Sequence, residues 1–229
     1  MVRLYTAVGR YEIKEGWNGM QQPFVKVNQK EMALSPEEMT LWSCLLWNIF
    51  TKEELQEAYC KKAAKVDLDT ERFDQVLQRM EVRGLIENAV ADRGDDALYK
   101  LLANLYLVPL HSSFGQKIMA FVRLVLKEHV PVSTAKIVLE KDRYTDMEQK
   151  VLHLAKQTML SSAEVVKCVG REVTDVSTSE KVMDALYDDD VSTCDNLGYF
   201  MKFFHNHQLT VEAIATLYLN RNLVFDKLS

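Results

Sequence analysis

Ser35-Pro36-Glu37-Glu38, Thr51-Lys52-Glu53-Glu54 and Arg83-Gly84-Leu85-Ile86 punctuate the stretch from Ser35 to Leu110, and their order decides the fold. The first two are capping boxes. A hydroxyl takes a free backbone N–H, a glutamate three residues on reaches back, and Pro36 sits where a helix has no N–H to lose. Met39, Trp42, Leu45, Leu46 and Ile49 follow at helical spacing, so a first helix is expected to stop near Phe50. The second helix turns Leu55, Ala58 and Tyr59 inward. Asp67-Leu68-Asp69-Thr70 then offers oxygens to start a third, with Phe73, Val76, Leu77 and Met80 inside and Gly84 as its left-handed stop. Trp42, Leu45, Phe73, Leu77 and Leu85 are the expected core of this unit.

After Gly84 the period changes. Leu85–Val90 is short and partly β-branched, Asp92-Arg93-Gly94-Asp95-Asp96 is turn chemistry, and Ala97–Leu102 reads as a returning strand. Three helices followed by a hairpin resemble winged-helix transcription regulators, over about a third of the chain. The resemblance implies a protein that reads double-stranded DNA with helix 69–83 and a wing at 85–102. On that helix Thr70, Arg72, Gln75, Gln78 and Arg79 project away from the apolar face. Arginine pairs with guanine and glutamine with adenine in a major groove. Arg93 at the hairpin tip and Lys100 on its return strand would meet phosphate. Charge opposes this. The net charge is −5, and residues 35–110 hold nine basic against fourteen acidic residues, whereas affinity for nucleic acid comes mostly from neutralising phosphates.

The first 34 residues point elsewhere. Leu4–Val8, Tyr11–Ile13 and Phe24–Asn28 read as short strands. Phe24-Val25-Lys26-Val27-Asn28, then Met32-Ala33-Leu34 and Ser35-Pro36-Glu37, are similar in layout to the peptide-binding recognition elements of bacterial peptide-modification systems. That resemblance implies a non-catalytic module that binds an extended peptide along a sheet edge. The segment after Gly84 discriminates the two, because a wing is expected of the DNA reader and not of the peptide binder.

The whole chain reads as mostly α with short β-hairpins (α+β). Residues 1–34 form a β extension, 35–110 the winged-helix domain, and 111–229 a C-terminal helical domain for dimerisation or effector sensing. In that last part Gln116–Lys127 is amphipathic, Asp146–Leu160 is helical, and Ser161-Ser162-Ala163-Glu164 and Ser177-Thr178-Ser179-Glu180 are further capping boxes. Their spacing repeats that of Ser35 and Thr51 and hints at a second helix-turn-helix-like unit, but four short helices in an ordinary helical domain give the same pattern, and that reading is adopted. Cys194–His207 and Thr210–Tyr218 are the expected final helices and Asn222–Phe225 a terminal strand. The apolar run from Leu197 to Tyr218 makes this end the expected homodimer interface.

Composition agrees with a packed, helix-rich protein: 48% of residues are hydrophobic, with 4 prolines and 8 glycines. No apolar run approaches the ~20 residues that span a bilayer, and the N-terminus has no signal-peptide core. Cys44, Cys60, Cys168 and Cys194 are scattered, as in a reduced cytoplasmic protein. His205-Asn206-His207 makes a poor metal pair, and Asp188-Asp189-Asp190 lacks the rest of a calcium loop. No phosphate loop, nucleophile elbow or zinc-protease motif is present, so neither enzyme activity nor a metal or cofactor is expected.

Overall fold

A computed structural model describes residues 1–15, 21–110, 144–187 and 197–228. The side chains of residues 21, 185, 187 and 197–205 are outside that description, as are the expected helix Gln116–Lys127 and the acidic run Asp188–Asp190. Over the described residues the chain is α+β, with eight helices and small antiparallel sheets. The order is β1 (Val2–Ala7), β2 (Arg10–Glu15), β3 (Gln21–Val27), β4 (Lys30–Ala33), α1 (Pro36–Leu45), α2 (Lys52–Ala63), α3 (Phe73–Val82), β5 (Ile86–Ala91), α4 (Gly94–Ala103) and β6 (Tyr106–Pro109). Then come α5 (Asp146–Gln157), α6 (Ser162–Gly170), α7 (Ser179–Tyr187), α8 (Leu197–Leu219) and β7 (Leu223–Asp226).

Local chemistry explains the helix ends. Both expected capping boxes form, Ser35 with Glu38 and Thr51 with Glu54. Gly84, at φ +71°, ends α3 in a Schellman turn: its N–H donates to Glu81 C=O at 2.9 Å and the Leu85 N–H to Met80 C=O at 3.0 Å. Two boundaries differ from expectation. Helix α1 stops at Leu45, because Trp47 turns left-handed at φ +60°. Helix α3 starts at Phe73, since the Asp69 carboxylate accepts from the Glu71 N–H at 2.9 Å and holds a turn in place of a cap. All five expected core residues are buried.

The hairpin after Gly84 is a correction. Ala97–Leu102 belongs to α4, not to a return strand. Ala97, Leu101 and Leu102 are buried, a helical spacing that packs α4 against β1, β5, α6 and α8. The strand that pairs with β5 is β1, antiparallel from Val2↔Ala91 to Ala7↔Ile86. The Tyr5 N–H also donates to Phe50 C=O, just before α2. Strand pairing thus crosses residue 34/35, and the β6–β7 pair crosses 110/111, so the three expected segments share their sheets and one continuous apolar core.

The second half repeats the first. Capping boxes at Thr145 and Ser161 open α5 and α6, sixteen residues apart like those at Ser35 and Thr51. Strand β6 before them pairs with β7 after α8, as β1 pairs with β5. Two backbone bonds at the joints correspond. Leu107 N–H to Leu160 C=O (2.9 Å) matches Tyr5 to Phe50 (2.8 Å), and Leu110 N–H to Asn222 C=O (2.8 Å) matches Val8 to Leu85 (3.0 Å). Arg221, at φ +63°, ends α8 in the same Schellman turn as Gly84. The expected break near residue 208 is absent: α8 runs unbroken to Leu219, with Val211, Ile214, Leu217 and Tyr218 buried in the chain's own core. Those residues are taken out of the surface expected to form a dimer.

The two units lock through Tyr218. Its hydroxyl donates to Leu45 C=O at 2.9 Å and accepts from the Trp47 N–H at 2.9 Å and the Thr6 hydroxyl at 3.0 Å. It thereby caps the end of α1 from the other half of the molecule. Burial pushes the phenol up to about 12, so it stays a donor.

Between β1 and α1 lies the sheet β2-β3-β4. Its inner face, with Val25 and Val27 buried, meets the α1 side where Trp42 donates to Val8 C=O at 3.1 Å. Gly9 makes the corner at φ +98°; a Cβ there would stand 2.6 Å from Val25 Cγ1 and 2.8 Å from the Lys26 carbonyl.

Candidate functional site

The structure puts Arg72, Gln75, Gln78 and Arg79 on exposed positions at the start and along the outer face of α3, as the helical spacing requires. It does not leave the arginines free. Arg72 pairs with Asp69 at 3.3 Å, and Arg79 Nε with Glu38 at 2.8 Å. Asp74 on the same helix pairs with Lys52 at 2.8 Å. Thr70 is half-buried in the turn before α3. Arg93 precedes α4 and holds Asp95 by two bonds of 3.1 and 2.6 Å, and Lys100 is exposed on α4. Gln75 and Gln78 keep an outward amide each, beside Val82, which is 83% exposed.

The densest polar cluster lies where α3 meets β4. Glu38 is buried and its carboxylate accepts from three donors, the Ser35 N–H at 2.9 Å, Arg79 Nε at 2.8 Å and Arg83 Nη1 at 2.7 Å, while its own N–H donates to Ser35 Oγ at 3.3 Å to close the box. Burial pushes its carboxyl up, but Arg83, the Ser35 N–H and Arg79 together outweigh burial and hold it below the ordinary glutamate value. Two guanidinium groups share this carboxylate, and the neighbouring Glu37, which accepts from the Ser35 hydroxyl at 2.8 Å, also lies within reach of the Arg79 charge. Arg83 Nη2 goes on to donate to Ala33 C=O on β4 at 2.8 Å.

That last bond marks the sheet edge. Asn28 and Gln29, both at positive φ (42° and 65°), make a two-residue turn that closes on the pair Val27–Lys30. In an antiparallel ladder hydrogen-bonded pairs alternate with open ones. Val27–Lys30 and Val25–Met32 therefore bond within the sheet, and Glu31 and Ala33 turn their N–H and C=O outward. No strand pairs with that side of β4 among the described residues, and the order β2-β3-β4 makes it an edge. The site consequently combines an outward strand edge (Glu31, Ala33) with a helix face (Arg79, Arg83) tied to it by one side-chain bond.

Neither Arg83 nor Glu38 was singled out for function by sequence. The pair is separated by 45 positions, and only the Ser-x-x-Glu box flagged Glu38, for a local role. No helix among the described residues is long and apolar enough to cross a membrane. No protein-family model, curated protein or solved structure matches this chain.

Proposed function

We propose that this chain is a non-catalytic peptide-binding protein in which an extended peptide adds a strand to the outer edge of β4, with α3 alongside. The carrying observation is that free edge, held against α3 by Arg83. The Glu31 N–H and C=O and the Ala33 N–H would bind the peptide main chain, while Arg83, already bonded to the Ala33 C=O, would with Arg79 favour an acidic side chain next to it. The absence of a hairpin after Gly84 supports this reading over a DNA reader, because β5 takes β1 as its partner and α4 occupies the place of a return strand. The three helices α1–α3 with β5 and β1 then form a winged-helix-like core without a wing.

The test uses peptides selected from a random dodecapeptide library on the immobilised full chain, with affinity measured by fluorescence anisotropy. Ala33→Pro removes one outward N–H at a strand edge where proline is tolerated. Each lost backbone bond is worth about 0.5–1.5 kcal/mol, so affinity should fall roughly two- to tenfold with unchanged circular dichroism. Selected peptides that bind Ala33→Pro as well as the parent would remove β4 from the reading.

A second reading rests on the outward amides Gln75 and Gln78: duplex DNA read by α3. In that case Gln75→Ala and Arg79→Ala each weaken binding to a selected duplex by about 1–3 kcal/mol, and Arg93→Ala weakens all duplexes alike. Anisotropy on random duplex DNA, with and without added salt, separates the two readings, since phosphate neutralisation produces a steep salt slope.

A further inference from the structure

The opposite edge of the same sheet, β2, has a property that β4 lacks: its sequence is complementary to itself. Val25 and Val27 bond toward β4, so Phe24 and Lys26 bond toward β2, to Glu12 and Arg10 in the observed register. Tyr11, Ile13 and Glu15 therefore send their N–H and C=O outward. Gly9, two residues before Tyr11, shows the same direction, for its N–H donates outward to Phe225 C=O of β7 at 2.8 Å. Beyond Gly9 no strand covers this edge among the described residues. Tyr11 is 42% and Ile13 55% exposed, on a strand that reads Arg-Tyr-Glu-Ile-Lys-Glu.

We infer that β2 pairs antiparallel with β2 of a second copy of this chain, about a two-fold axis at Ile13. In that register Ile13 faces Ile13 of the second copy, and Tyr11 faces its Glu15, so the bonds use groups that already point outward. Glu12 then lies opposite Lys14 of the second copy, twice over. These are the open pairs, in which side chains approach most closely and opposite charges stabilise. Lys14 stands between Glu12, at 3.5 Å, and Glu31, to which it is hydrogen-bonded, so pairing sets it among its own Glu31 and the second copy's Glu12. A two-fold at Tyr11 would require the Gly9 N–H that β7 occupies, and one at Glu12 or Lys14 would set Glu12 against Glu12 or Lys14 against Lys14 in a close open pair, where like charges repel. Ile13 is the centre that the free groups and the charges allow together. The product is a continuous six-stranded sheet, β4-β3-β2-β2-β3-β4, with the β4 edges left at its two ends. Such pairing also covers an edge that would otherwise invite aggregation.

The experiment is sedimentation velocity on the full chain from low micromolar to submillimolar concentration. The parent chain should show a monomer–dimer equilibrium. Glu12→Lys alone places lysine opposite lysine, and Lys14→Glu alone places glutamate opposite glutamate, so each should raise the dissociation constant roughly tenfold or more. An equimolar mixture of the two variants should recover the dimer, which a misfolded variant could not do. Ile13→Pro, at a position facing Pro23 in an open pair and so without a sheet bond to lose, should be monomeric. A parent chain that is monomeric throughout, variants that dimerise like the parent, or a mixture that stays monomeric would each overturn the inference. None of these outcomes bears on peptide binding at β4.

Discussion

The two units of this molecule share a backbone scheme and differ in the chemistry placed upon it. Strand, capped helix, capped helix, a last helix ending in a Schellman turn and a return strand recur, with α7 added before the last helix of the second unit. Buried positions correspond as well: Leu77 with Ile214, Met80 with Leu217, Glu38 with Glu148. The outer chemistry does not. Where the first unit has Arg79 and Arg83, the second has Thr216 and Asn220; where the second has Tyr218, the first has Glu81. Backbone joints and apolar spacing are what hold this scaffold, so side chains that break the correspondence mark what each copy does. The first copy builds an arginine–glutamate cluster at a strand edge, and the second supplies the hydroxyl that caps its neighbour.

The strongest way to break the comparison is to cut into both cores. Leu77→Ala and Ile214→Ala should each cost ~2–5 kcal/mol through lost burial and a residual cavity. Because the buried cluster is continuous through both units, either change should shift one cooperative denaturant transition, with circular dichroism and tryptophan fluorescence coincident. Two separated transitions, with only one moved by each variant, would mean that the copies fold independently.

A smaller loss is expected at the joint. Tyr218→Phe keeps the ring but strands the half-buried Trp47 N–H and takes one of two donors from the Leu45 carbonyl, which keeps the Asn48 N–H at 2.9 Å, at about 2 kcal/mol by chemical denaturation. A loss under half that would put water in place of the hydroxyl.

Next come the paired carboxylates. Glu38→Gln should cost about 1–2 kcal/mol, reduced by the exposure of Arg79, while Glu148→Gln, whose amide oxygen can still accept from the Thr145 N–H and which loses only the charge, should cost about 0.5 kcal/mol. The pH dependence carries a sign. The Glu38 carboxyl is held below its ordinary value when folded, so the unfolded chain binds more protons in the range between. Its contribution is complete above about pH 5 and fades as pH falls below about 4. Unfolding at graded pH should show this slope flattened in Glu38→Gln, and an unchanged slope would assign the acid sensitivity to other groups.

The smallest effect compares the two left-handed helix stops. Gly84→Ala should cost about 1 kcal/mol, purely conformational because an added Cβ meets nothing within 4 Å. Arg221→Gly relieves the same strain but loses the guanidinium that lies 5.2 Å over the Trp47 ring, so its melting temperature should stay near the parent's.

Local signals account for what was legible in the sequence. The boxes at Ser35 and Thr51, the stop at Gly84 and the five core residues each depend on a few neighbouring positions, and each was readable. The return strand was misread because Asp92–Asp96 has turn composition, although Ala97, Leu98, Leu101 and Leu102 already follow a helical period. Nothing local announces that β1 will travel more than eighty positions to pair with β5. The repeat is half visible in the sequence: Ser161 and Ser177 show the same sixteen-residue spacing, whereas the boxes that correspond to Ser35 and Thr51 are those at Thr145 and Ser161. Thr178, not Ser177, starts α7, its hydroxyl accepting from the Lys181 N–H. At the site, the outward face of α3 followed from spacing. The ion pairs of Arg79 and Arg83 with Glu38 join α1 to the end of α3 and are a property of packing.

The Tyr218 contact also sets an order of events during synthesis. Thr6 and Tyr218 are 212 positions apart, and Trp47 and Tyr218 are 171 apart. At the usual ribosomal pace of about 5–20 residues per second, the end of α1 waits roughly 10–30 s for the hydroxyl that completes it. During that interval the first unit has its helices and its strand edges but an open joint, and a nascent chain stalled at Leu110 would stay so. Completion of α1 is thus deferred until Tyr218 has emerged, which makes the finished first unit a readout of synthesis through the second.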